Sequence, residues 1–295
     1  MRRLRLLIVV FFLGVFAVFL TTNIREYLNS DSKAPEISAP SDTIKASVSV
    51  SDEELLQGME AKDNLDGDVT DSLVVVSKSK FIAPNTRHVT YAAFDQNNNV
   101  GTYTRRLVYT DYHSPRFSLK EPFRFVEGNS SYDYLRFIRA EDCLDGNLTP
   151  QIKITFGDKE AASGSSIVQK VNIQVTNSAG DTATLELIAS FEDYDSYSKA
   201  SPALSEYIIY VPCGEHPELR AYLDGIWTAG NTRRFADLGF EPEDVSIYDG
   251  DVDYNTPGIY QATFRLSRAT QNATGGTYRT EFGTATMIIV VEATE

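Results

Sequence analysis

The sequence predicts an all-β body of three tandem antiparallel β-sandwiches behind one N-terminal transmembrane helix. Three observations predict it: a charge-free apolar run at residues 6–20, a block that recurs near residues 61–111 and 140–193, and strand-like alternation throughout the rest. Beyond the N-terminus no apolar stripe at helical spacing persists for three turns, whereas period-2 alternation broken by Gly and Asn recurs along the chain.

The chain has 295 residues, with 27 Lys+Arg against 41 Asp+Glu, for a formal net charge of −14. Arg2, Arg3 and Arg5 all precede the apolar run, so the remaining body is more acidic still. That balance excludes a nucleic-acid partner, because phosphate binding needs clustered cations. Hydrophobic residues at 42%, with 16 Tyr and 16 Phe, are enough to build cores. Two Cys exclude a disulfide-stapled scaffold and a Cys-rich zinc module.

The apolar run LLIVVFFLGVFAVFL extends to residue 22 if Thr21 and Thr22 are included. Its length falls between a signal-peptide core and a spanning helix. The cut points that would be needed pair Phe19 with Thr21 or Leu20 with Thr22, which is not a small-residue pattern, so residues 6–22 read as an uncleaved anchor in the lipid bilayer. Arginines on the N-terminal side make residues 1–5 a cytoplasmic tail and place the bulk of the chain outside a single-pass membrane segment. Residues 23–41, ending in the Ser/Pro-rich NSDSKAPEISAPS, read as a linker.

The body repeats itself. AKDNLDGDVT (61–70) matches AEDCLDGNLT (140–149) at an offset of 79, and VTYAAFDQNNNVGTYTRRLVYTD (89–111) matches VNIQVTNSAGDTATLELIASFED (171–193) at an offset of 82. In the second pair, apolar alternation, a Gly/Asn-rich turn and renewed alternation spell a hairpin. Domains of residues 42–112, 113–195 and 204–295 follow. The third lacks the Asp-Leu-Asp-Gly block at the expected place and carries two longer segments, Cys213–Gly239, with one short helical turn, and Ser267–Thr280.

AKDNLDGDVT, AEDCLDGNLT, the two hairpin blocks and VDYNTPGIYQATF (252–264) resemble the bacterial immunoglobulin-like domains of surface proteins, the group containing hyalin-type repeats and the Ig-like repeat of pesticidal crystal proteins. The resemblance implies three Ig-like sandwiches projecting from a bacterial envelope. It also implies a function in adhesion or in binding a surface protein or glycan, or else a structural spacer or assembly subunit.

Two readings meet at the acidic turn. Asp63, Asp66 and Asp68, and in the second copy Asp142 and Asp145, offer oxygen ligands suited to Ca²⁺. The spacing does not fit an EF-hand loop and no bidentate Glu follows, which favours Asx-turns whose oxygens cap backbone N–H groups, with Gly67 at positive φ. The same choice applies to Asp249, Asp251 and Asp253. Trp227, with Tyr222, offers a sugar-stacking platform or a core aromatic, and the core reading is favoured. No catalytic or cofactor-binding residue is assigned: His88, His113 and His216 have no metal-ligand partner four residues on, and the S-x-x-K matches at Ser30, Ser77 and Ser196 lack companion motifs. Cys143 and Cys213 read as isolated small hydrophobes, with a bridge between the second and third domains as the alternative. Asn129, Asn147 and Asn272 match glycosylation acceptors, which a bacterial setting leaves unused.

Overall fold

The computed structural model describes residues 2–29, 32–128, 131–162, 166–271 and 277–293. The N-terminal run forms one helix, α1 (Arg2–Asn29), whose apolar stretch Leu7–Ile24 has none of its surface covered by the rest of the chain. The helix exceeds the apolar run because the polar residues after Thr22 continue the same backbone hydrogen bonding. Thr21, Thr22 and Asn23 fold their side chains back onto the carbonyls of Val18 and Phe19.

The body is all-β and contains one seven-stranded topology three times. In the first domain β1 (Glu36–Ser38), β3 (Glu60–Asp63) and β4 (Gly67–Asp68) form a small sheet, while β2 (Thr43–Ala46), β7 (Val100–Tyr109), β6 (Thr86–Phe94) and β5 (Val74–Ala83) lie side by side in a second. The second domain repeats this with β8 (Arg116–Leu119), β10 (Ile138–Asp142) and β11 (Gly146–Asn147) in the small sheet. Its larger sheet runs β12 (Lys153–Ala161), β13 (Ile167–Thr176), β14 (Thr182–Glu192) and β9 (Arg124–Val126). In the third domain β15 (Ser201–Leu204), β17 (Leu223–Thr228) and β18 (Asn231–Arg233) pair, as do β16 (Ile208–Pro212), β21 (Thr277–Glu292), β20 (Gly258–Gln271) and β19 (Val245–Tyr248). In every copy the second strand runs parallel to the last, and all other pairings are antiparallel. These are three Ig-like sandwiches.

The expected hairpins are in place. On β13 and β14, Val171, Ile173 and Val175 and then Leu185, Leu187 and Ala189 alternate inward as core residues. Their turns use one backbone shape with two residue types: Asn98 takes φ 63° in the first copy and Gly180 takes φ 86° in the second.

The domain edges differ from the sequence reading. β1 lies inside the stretch read as a linker, because a three-residue strand flanked by prolines carries only one inward residue, Ile37. In the third domain, Cys213–Gly239 is largely not an added loop. After one 3₁₀ turn (Leu219–Tyr222) it supplies β17 and β18, the second half of the small sheet. Gly225 hides the strand signal; a Cβ there would sit 2.3 Å from Arg233 O, so the close backbone approach demands glycine. Of the segment Ser267–Thr280, residues 267–271 and 277–280 continue the β20–β21 ladder outward, paired as far as Gln271 opposite Thr277.

The chain divides into two compact units, residues 1–112 and 113–295, so the second and third domains belong to one body with a continuous core. Their junction is stapled by strand ends. Tyr207 N–H donates to Leu119 O at 2.8 Å and the Tyr210 hydroxyl accepts from Phe117 N–H at 2.7 Å. Burial pushes both phenols up to about 12, so they stay neutral donors or acceptors. Arg116 makes a forked pair with Glu292, and Lys120 meets Glu206 at 2.7 Å.

Arg124 forms a second fork with Glu192 while donating to Ser201 Oγ and Ser196 O, tying the last strand of one sandwich to the first strand of the next. Burial alone would raise the Glu192 carboxyl, but hydrogen bonds and charge from Arg124, with the Ser190 hydroxyl, hold it below the ordinary carboxylate range. A carboxylate held low in the folded state stabilises it above the unfolded pKa, and that contribution is lost as pH falls through the folded value. Arg124→Met therefore strands a buried charge and lowers unfolding stability in urea by about 3–5 kcal/mol. Lys170→Met, at the exposed pair with Glu186, costs less than about 1 kcal/mol. Glu192→Gln makes the loss of stability below pH 4 shallower than in the parent chain.

Candidate metal centre

The acidic turn connects the third and fourth strands in each of the first two copies. Asp63 Oδ1 accepts from Leu65 N–H (2.8 Å) and Asp66 N–H (2.9 Å), and Gly67 takes φ 77°. In the second copy Asp142 Oδ2 accepts from Leu144 N–H (2.7 Å) and Asp145 N–H (3.3 Å), with Gly146 at φ 70°. Both are Asx-turns closed by glycine in the left-handed region.

The second aspartate of each turn reaches across to the hairpin loop thirty residues on. Asp66 Oδ2 accepts from Gln96 N–H at 2.7 Å, and Asp145 accepts from Ser178 N–H (2.5 Å) and its hydroxyl (2.7 Å). The turn and the β6–β7 or β13–β14 loop are thereby latched at one end of each sandwich.

Asp68 stands apart from this latch. Its Oδ1 accepts from Thr70 N–H at 3.0 Å, and the Thr70 hydroxyl and amide hold its carboxyl below the ordinary range. The second copy performs the same contact with an amide oxygen, Asn147 Oδ1 to Thr149 N–H at 3.0 Å, which is why Asn serves there. Asp249, Asp251 and Asp253 do not gather either: Asp253 caps Asn255 N–H, and Asp249 lies 3.5 Å from the Tyr254 hydroxyl.

The residue that completes a cluster is Asp95, which the sequence reading missed. One carboxylate oxygen from each of Asp63, Asp66 and Asp95 lies within 4.8 Å of the others. Asp95 is held by Asn99, whose N–H donates to Oδ1 at 2.7 Å and whose side-chain amide donates to Oδ2 at 2.6 Å. Asp95 lies 29 positions after Asp66, so only the repeat alignment reveals its counterpart, Asn177. That asparagine donates from Nδ2 to Asp142 Oδ1 at 2.8 Å. The second copy thus neutralises the site with an N–H, whereas the first gathers three carboxylates, a hard-oxygen donor set that suits a Ca²⁺ ion.

The remaining expected residues lie elsewhere. Trp227 is 5% exposed on β17 opposite Ser201, so its ring offers no open face to a sugar, and Tyr222 packs partly buried against the core of the second and third domains. Cys143 and Cys213 do not bond to each other; their thiols meet His113 O (3.3 Å) and Asn255 O (3.0 Å). Asn129 and Asn272 lie outside the described residues.

No family model matches the chain, and no curated protein matches it. Among solved structures it is similar to the CBM51-2 and INT domains of Clostridium perfringens ZmpB, in a complex with GlcNAc, at 17% identity and a TM-score of 0.21, covering 48% of this chain and 29% of that one. A longer ZmpB structure is matched over 31% of its length. Human CDH23 EC21-23 aligns at 15% identity and a TM-score of 0.20 over 88% of this chain and all (100%) of that one. The human Desmocollin-1 ectodomain aligns at 9% identity and a TM-score of 0.20, covering 90% and 62%. At such scores the question of function returns to the chain's own residues.

Asp95→Asn imports the second copy's solution into the first. Differential scanning calorimetry is expected to show an upward shift of the parent chain in millimolar Ca²⁺, its loss in Asp95→Asn, and a higher melting temperature of that variant in chelator because like-charge repulsion is removed. Asp68→Asn, outside the cluster, changes stability by less than about 0.5 kcal/mol and leaves the calcium shift intact.

Proposed function

We propose that this is a membrane-anchored, non-enzymatic array of Ig-like domains that binds a protein or glycan at the bacterial cell surface. The observation that carries the reading is α1: the apolar side chains between Leu7 and Ile24 are exposed all round and none of this stretch is buried among the described residues, so a lipid bilayer is their natural solvent. Arg2, Arg3 and Arg5 orient the helix with its N-terminus in the cytoplasm and the sandwiches outside. Asp63, Asp66 and Asp95 would hold calcium there, tightening one end of the first domain.

The contacts between the second and third domains favour a second reading, a spacer or assembly subunit. Hydrogen bonds and ion pairs from Arg116 to Glu206 join the second and third domains into one body, a property that positioning needs and binding alone does not.

The full chain in lipid nanodiscs, applied to a glycan and matrix-protein array with and without Ca²⁺, separates the two. A specific, saturable hit is expected. A blank array in both conditions contradicts the binding reading and leaves the spacer.

A further inference from the structure

Two arginines project onto the core face of the larger sheet in the first domain. Arg87 on β6 stands directly opposite Phe81 on β5 and Leu107 on β7, and Arg105 on β7 stands opposite Val89. Leu107 and Val89 are wholly enclosed, and Arg87 and Arg105 are 8% and 3% exposed. With 41 acidic against 27 basic side chains the chain has counterions in excess, yet among the described residues neither arginine forms an ion pair.

Arg105 is satisfied by neutral acceptors. Its Nε donates to Ser41 O at 2.7 Å, and its Nη1 reaches Met59 Sδ at 3.5 Å. Arg87 has no counterpart to these contacts among the described residues, and its Nε is enclosed without an acceptor. The repeat supplies an internal control: the aligned residue of the second copy is the neutral Gln169, whose Nε2 donates to Gly157 O at 2.9 Å. The first copy holds a cation where the second holds a satisfied amide.

The stem of Arg87 is walled by apolar groups. Phe81 and Leu107 flank it on the neighbouring strands, and Phe81 belongs to a ring cluster with Tyr109 and Tyr112, at centroid distances of 6.3 and 4.7 Å. A guanidinium whose Nε–H is buried without an acceptor is costly, and an anion that reaches the fork removes the cost. The guanidinium fork matches a planar carboxylate bidentately, and one negative charge balances it. A polyanion would bring further charge against a chain already at −14.

We propose that Arg87 is a carboxylate-binding site at the end of the first domain, its ligand supplied from outside the chain. The site goes beyond the surface-binding reading and does not depend on it, since a spacer would meet the same anion.

The test uses the full chain in detergent micelles with ¹⁵N-labelled arginine, titrated with sodium acetate against sodium chloride at constant ionic strength, with sulfate as a third arm. Acetate is expected to move the Arg87 Nε–Hε resonance saturably and to raise the melting temperature above that in chloride. Arg87→Gln removes the acetate-specific increment, and Arg87→Lys, which keeps the charge but loses the fork, reduces it. Identical responses to acetate and chloride would overturn the proposal. So would an acetate increment that survives in Arg87→Gln or, should that variant not fold, remains undiminished in Arg87→Lys. Sulfate outcompeting acetate would overturn the choice of a carboxylate.

Discussion

Everything outside α1 depends on one pairing: in each sandwich the second strand lies parallel to the last. A chain that starts in the small sheet and crosses within a few residues to the larger one closes both layers with one segment. Ile37 on β1 and the β2–β7 ladder do this in the first domain, and β8 with β9 and β15 with β16 repeat it. Closure leaves two ends, and the chemistry of the molecule collects there. One end carries the aspartate latch. The β6 start and β7 end of the first domain carry Arg87 beside its ring cluster.

The two latched turns show how a repeat separates scaffold from chemistry. Contacts that need only an oxygen acceptor tolerate exchange, as Asp68 and Asn147 show by making the same bond to a threonine amide. Position 95 is different, because asparagine in the second copy donates where aspartate in the first cannot. The same contrast separates Arg87 from Gln169. In both pairs the second domain has a neutral, internally satisfied group, and the first has a charge that forms no ion pair among the described residues.

The hairpins were legible in the sequence because period-2 alternation over nine or more residues has no helical competitor, and the glycine of each acidic turn was legible from its neighbours. β1 escaped because three residues cannot establish a period. β17 and β18 escaped because glycine and aspartate interrupt LDGIWT, although backbone pairing there is unaffected. The Asx-turns followed from composition, but the third carboxylate did not, since only folding brings Asp95 to Asp63. For Trp227 a buried aromatic was favoured over a sugar platform, and the residue is buried. A lone tryptophan in a β-rich segment carries no sequence mark of which face it takes.

The most direct test of a membrane-anchored outer array is proteolysis of intact cells, with mass spectrometry of the membrane and the released material. Cleavage near the Pro-flanked segment that precedes β1 should release the three sandwiches intact and leave the α1 peptide in the membrane. A surface protein already lacking residues 1–22 before protease is added, or a body wholly protected from it, would contradict the anchor and its orientation.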